Sequence, residues 1–223
     1  MKIVSCMIES PSWNDEYLLF LMQLYLKSPI GIKPLYSKSL VNLSLELHIE
    51  PQTILKKLQE FAENKDKTPS LKLLWDTYSK DEKKLDETIS QIRKMRGFGK
   101  PDKFYKNVQT VSSFESQFLP IEGYKNISPV MLIMVLYVYP TILPTAMEET
   151  TPEIVELSKT IDLKPRSVLK IMKTFLMCDP IMNREKDEND TLYQACLEVW
   201  REYANDTPDK IKKKVEELKD YFN

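Results

Sequence analysis

Residues 40–61 read LVNLSLELHIEPQTILKKLQEF, and residues 154–175 read IVELSKTIDLKPRSVLKIMKTF. Aligned without a gap over these 22 positions, they share Val41/Val155, Leu43/Leu157, Ser44/Ser158, Pro51/Pro165, Leu55/Leu169, Lys56/Lys170 and Phe61/Phe175. Leu40/Ile154, Leu47/Ile161, Ile49/Leu163, Ile54/Val168 and Leu58/Met172 match in kind. Within each stretch the apolar residues recur at helical spacing on either side of one tight break, which is how a helix-turn-helix closes its small core. Glycine is common in such a turn. Here His48 and Asp162 occupy the slot, and both residue types tolerate left-handed backbone better than most.

The similarity extends outward. An apolar helical segment ending Leu24-Tyr25 precedes the first stretch, and one carrying Leu136-Tyr137 precedes the second. Downstream, Trp75-Asp-Thr-Tyr78 answers Trp200-Arg-Glu-Tyr203, and Leu85, Ile89 and Ile92 answer Ile211, Val215 and Leu218. Such order predicts a tandem duplication of a small helical domain: copy one over 1–95, a basic linker over 96–125, and copy two over 126–223. Helices are expected over 14–27, 37–47, 51–63, 70–78 and 82–95, then over 129–139, 152–161, 165–177, 191–203 and 208–222. A short helix is expected near 113–118. Pro51, Pro129, Pro152, Pro165 and Pro208 stand at first-turn positions, with Thr151 and Thr207 placed as N-caps. No alternating strand signal competes, so the expected fold class is all-α.

Composition bounds the function classes. The 223 residues carry 32 Lys+Arg against 33 Asp+Glu, so no global field marks a nucleic-acid or membrane partner. The longest apolar run, residues 130–139, is half the about 20 residues needed to span a bilayer. Residues 1–10 lack an apolar segment with a cleavage site, so no secretory leader is expected. Three scattered cysteines, Cys6, Cys178 and Cys196, form no CxxC pair and suggest reduced thiols in a cytoplasmic protein.

The second helix of each pair is the candidate recognition helix, whose outward face would enter the major groove of double-stranded DNA. In copy one that face reads Gln52, Thr53, Lys56 and Gln59; in copy two it reads Arg166, Ser167, Lys170 and Lys173. Arginine can read guanine edges and glutamine adenine edges, while lysine and threonine can hold phosphates. Arg93, Lys94, Arg96, Lys100, Lys103 and Lys106, interleaved with Phe98, Phe104 and Tyr105, form a candidate phosphate-contacting arm at the linker. Charge is distributed unevenly: residues 1–95 are net +1, residues 96–125 net +2, and residues 126–223 net -4. Copy two therefore sets a basic helix face on an acidic domain.

Leu24-Tyr-Leu-Lys-Ser-Pro-Ile-Gly31, Thr151-Pro-Glu-Ile-Val-Glu-Leu-Ser158, Pro165-Arg-Ser-Val168, Phe175 with Asp179-Pro180, and Val199-Trp-Arg-Glu-Tyr203 resemble a known family. It is the non-catalytic N-terminal, accessory domain of HNH-type restriction endonucleases. Copy one keeps the first segment best and copy two keeps the rest; Glu60 and Thr174 stand where the family has Asn before Phe. The resemblance implies a DNA-associated, target-recognising module without its nuclease, in a bacterial restriction or mobile-element system. An HNH site needs at least two histidines, and His48 is the only one in the chain.

Other chemistry finds no support in the residues. Pro208-Asp209 with Glu217-Leu-Lys219 matches a PD-(D/E)xK pattern only on paper, because the stretch reads as one capped helix rather than strands around a metal. Gly97-Phe-Gly99-Lys100 lacks the Walker spacing. No nucleophile, base and orienting group can be named together, and neither a metal nor a cofactor is expected. The expectation is a non-enzymatic DNA-binding protein. Its competitor is a protein-protein interaction module without nucleic-acid binding, which the near-neutral charge favours.

Overall fold

The computed structural model describes residues 13–27, 34–64, 69–96, 98, 113–204 and 206–223. Their regular elements are helices. They run α1 (Asp15–Leu26), α2 (Lys38–Leu47), α3 (Pro51–Asn64), α4 (Pro69–Tyr78), α5 (Glu82–Lys94), α6 (Ser113–Phe118), α7 (Pro129–Val138), α8 (Pro152–Thr160), α9 (Pro165–Cys178), α10 (Thr191–Tyr203) and α11 (Pro208–Phe222). Two 3-10 turns, Tyr139–Thr141 and Pro144–Ala146, join α7 to α8. Among the described residues one isolated antiparallel bridge links Ile121 and Tyr124, and there is no named strand. The fold is all-α, and each helix lies within one residue of its expected ends. Among the described residues no helix is long and apolar enough to cross a membrane.

Contacts divide the chain into one unit of Met1–Pro34 with Ser39–Thr110 and a second of Leu35–Lys38 with Val111–Asn223. The expected linker is therefore shorter than 96–125, because residues 113–125 pack into the second unit. Phe114 and Phe118 are buried there, Ile121 N–H donates to the Ile127 carbonyl at 2.8 Å, and Thr191 Oγ1 donates to the Glu122 carbonyl at 2.6 Å. Such residues are too apolar and too well paired for a tether. Tyr36 also belongs to this unit, its ring 5.9 Å from Phe118 and 4.8 Å from the Lys214 ammonium.

In the first unit α1 is central and packs on α3, α4 and α5. Leu19, Phe20, Leu21, Met22 and Leu24 are buried along it, so α1 is apolar nearly all round, as a helix enclosed by its neighbours must be. Asn14 caps it by accepting from Tyr17 N–H at 2.9 Å. α5 presents only Leu85, Ile89 and Ile92, at i, i+4 and i+7, and keeps its charged face in water.

In the second unit α7 takes the central place and packs on α6, α8, α9, α10 and α11. It is uncharged throughout, with Val130 and the run from Leu132 to Leu136 buried. Prolines open α7, α8, α9 and α11, where their missing N–H costs no hydrogen bond. The two threonines expected as N-caps do not cap with their side chains. Thr151 Oγ1 instead donates to the Ala146 carbonyl at 2.6 Å and accepts from Glu148 N–H, tying the preceding 3-10 turn down. Thr207 is itself held by Asp206, which accepts its backbone N–H at 2.8 Å.

The two helix pairs break alike. His48 lies at φ 56° and Asp162 at φ 54°, both in the left-handed region. Beyond each, an N–H closes back across the turn, Ile49 to the Ser44 carbonyl at 3.1 Å and Leu163 to the Ser158 carbonyl at 2.9 Å. That is the hydrogen bond of a Schellman C-cap. Trp75 meets Tyr25 edge-on at 6.0 Å, and Trp200 meets Tyr139 edge-on at 5.8 Å. Tyr25 and Tyr139, which make these contacts, are separated by the same spacing as Leu40 and Ile154. Asp162→Val should destabilise the chain by about 1–2 kcal/mol, because a β-branched side chain meets the backbone at positive φ. Asp162→Gly should stay within about 0.5 kcal/mol of the parent, since Gly adopts that backbone freely; urea midpoints of the two variants separate these outcomes.

Candidate nucleic-acid interface

α3 and α9 each bury one stripe and expose the other. On α3, Ile54 and Leu58 are buried, whereas Gln52, Lys56 and Gln59 are exposed and Thr53 is half-buried. On α9, Val168, Leu169, Ile171, Met172 and Phe175 are buried, whereas Arg166, Lys170 and Lys173 are exposed and Ser167 is half-buried. The helical period alone dictates this, because 52, 56 and 59, like 166, 170 and 173, fall opposite the apolar set. Each expected contact residue therefore lies on the outward side of its own unit.

The two faces differ in what surrounds them. On α3, Lys56 forms no hydrogen bond or ion pair among the described residues, while its neighbour Lys57 turns back to Glu60 at 3.1 Å and to the Trp13 ring at 5.9 Å. On α9, Lys170 is engaged: its ammonium donates to the Tyr124 hydroxyl at 2.9 Å and sits 4.5 Å from that ring's centroid. The hydroxyl in turn donates to Asp190 Oδ1 at 2.9 Å, and the same carboxylate caps α10 by accepting from Leu192 N–H. Arg166 and Lys173 form no ion pair among the described residues and are the free cations of the face.

This face lines an open groove of about 630 Å³, whose rim carries Glu149, Asp187 and Asp190. Three cations thus stand beside three carboxylates, and the acids weaken the field that the stripe presents to a polyanion. The net charge of -4 over 126–223 announced an acidic surplus. Which acids would flank α9 was not readable, because residues 149, 187 and 190 lie outside its periodicity. Asp190, just before a helix, carried only a capping signal.

The expected arm is placed differently. Arg93 and Lys94 form the last turn of α5, where cations suit the helix C-terminus. The Arg93 guanidinium grips Glu46 of α2 at 2.5 and 2.8 Å and lies 5.2 Å from the Phe20 ring centroid. The Glu46 hydrogen bond raises its pKa above the ordinary guanidinium value. Phe98 stacks on the same Phe20 ring, with centroids 5.2 Å apart. Arg93 therefore stands in the last turn of α5 and is paired with α2 within the first unit. Arg96 is exposed; Lys100, Lys103 and Lys106, with Phe104 and Tyr105, lie outside the described residues.

The cysteines within the described residues, Cys178 and Cys196, are buried and free. Burial pushes the Cys178 thiol up to about 12 and raises Cys196 as well, so both are neutral thiols at pH 7 and poor nucleophiles. No known family matches the chain, and neither a curated protein nor a solved structure is significantly similar to it.

Proposed function

We propose that this chain is a non-enzymatic, cytoplasmic DNA-binding protein, built as a tandem duplication in which each copy offers one helix-turn-helix to a duplex. The observation that carries the reading is the pair of equivalent left-handed turns at His48 and Asp162, each followed by a helix with a polar or basic outward stripe. The shared Tyr–Trp contact of the two units supports the duplication. The resemblance to nuclease accessory domains, with no nuclease in the chain, suits a regulator or accessory of a bacterial restriction or mobile-element system.

The test is a titration of the chain with random-sequence and genomic duplexes between 50 and 200 mM salt. Binding should weaken linearly in log–log form, with a slope reflecting about three to six released counterions. A selected site should show two half-sites about one helical turn, roughly 34 Å, or a multiple of it apart. Salt-insensitive binding, or none, sinks the reading.

One observation favours the competing interaction module. The carboxylates at the rim of the α9 groove, and the engagement of Lys170 by Tyr124, leave that face nearly charge-balanced. A charge-balanced groove suits a protein surface better than a phosphate backbone.

A further inference from the structure

A second groove in the second unit shares no lining residue with the α9 face. It encloses about 460 Å³, the size of a ligand pocket. Its walls carry the aromatic rings of Tyr137, Tyr139, Trp200 and Tyr203 and the carboxylates of Asp179 and Asp206, with no Lys, Arg or His among the lining residues. We propose that this groove receives an arginine side chain presented on an extended segment of a partner protein.

The two carboxylates are in different states. Asp206 is satisfied within the chain, by Lys210 at 3.0 Å and by the Thr207 N–H. Asp179 is not. Its Oδ2 accepts the Tyr139 hydroxyl at 3.1 Å and its Oδ1 accepts Ile181 N–H at 2.9 Å, and it forms no ion pair among the described residues. Both donors are neutral, so they orient the carboxylate without pairing it with a cation among the described residues. Each oxygen keeps a lone pair for a further donor, which is the acceptor pattern a guanidinium fork satisfies bidentately.

The rings around it complete the match. A guanidinium is planar, weakly hydrated and stacks on Trp and Tyr faces, whereas an ammonium is a compact, strongly hydrated point charge. One of these rings already faces a cation: the Lys210 ammonium lies 5.4 Å from the Tyr203 centroid. An arginine side chain occupies only part of the groove. The remainder is walled by Pro140, Pro180 and Ile181, and Ile181 is 85% exposed at the lip. An apolar lip beside a charged, aromatic floor fits a peptide whose arginine is flanked by apolar residues. Trp, Tyr and Arg are also the residues on which such contacts concentrate.

The test uses the full chain and fluorescence anisotropy with a labelled, end-blocked Leu-Pro-Arg-Pro-Leu peptide. Saturable binding is expected, about tenfold weaker when citrulline, a neutral isostere, replaces the arginine. Ile181→Lys sets a like charge at an exposed lip without touching the core and should weaken binding about tenfold, with an unchanged melting temperature. Asp179→Asn should do the same, and if that variant unfolds, Ile181→Lys decides alone. No saturation at millimolar peptide, equal binding of the citrulline peptide, or indifference to Ile181→Lys overturns the proposal. Arginine amide binding as tightly as the peptide would overturn the peptide assignment.

Discussion

Alanine at Arg166, Lys170 and Lys173 together should weaken duplex binding by about two orders of magnitude and lower the salt slope by about two to three. Each lost phosphate contact removes the counterion release that drove it. The loss should be unequal. Arg166 and Lys173 are free, whereas Lys170 shares its ammonium with the Tyr124 hydroxyl and stands over that ring. Single substitutions should therefore cost more at 166 and 173 than at 170. Lys170→Ala should instead show a small stability loss, because it uncovers Tyr124. At 166 and 173 stability should move by no more than about 0.5 kcal/mol. Far-UV circular dichroism and a melting curve on the same samples separate lost contact from lost fold. If the triple variant binds DNA as the parent does, the α9 face is not the interface; if the parent itself shows no salt-sensitive duplex binding, the protein-interaction reading is the one to keep.

Phe175→Ala should destabilise the second unit by about 3–5 kcal/mol. The ring is fully buried, and it meets both members of the aromatic pair, Tyr139 at 6.0 Å and Trp200 at 6.3 Å. Truncation removes the transfer free energy of the ring and leaves a cavity beneath α9 that α7 and α10 cannot both close. Aromatic contacts add about 0.5–1.5 kcal/mol beyond burial. A loss this size is a large fraction of the usual stability of a domain. The urea midpoint should fall steeply, and Trp fluorescence should report the release of Trp200. A change below about 1 kcal/mol would mean that this cluster is not the centre of the unit.

Helix positions were legible almost to the residue because prolines at first-turn positions and apolar spacing are local signals. So was the left-handed turn. His48 and Asp162 break two otherwise matching patterns at the same place, and only a few residue types accept that backbone. The outward stripes of α3 and α9 followed from the same period. Capping failed at Thr151 because its Oγ1 already accepts Glu148 N–H and donates to the Ala146 carbonyl; nothing in the structure explains the missing side-chain cap at Thr207. The linker was read too long because residues 113–125 form only one short helix, and their burial comes from distant partners.

By itself, then, the chain's order of residues determined the all-α class, the helix ends, the two matching turns and which side of α3 and α9 faces outward. All of these depend on interactions within a few positions, where the helical period and backbone sterics decide. Tertiary structure alone decided which acids stand beside the cations of the candidate site. Tyr124, Asp190, Glu149 and Asp187 reach the α9 face from elsewhere in the unit. It also paired Arg93 with Glu46, and gathered Asp179 with Tyr139 and Trp200 into one groove. Electrostatics and cavities are set by which surfaces meet, and no periodicity along the chain encodes that meeting.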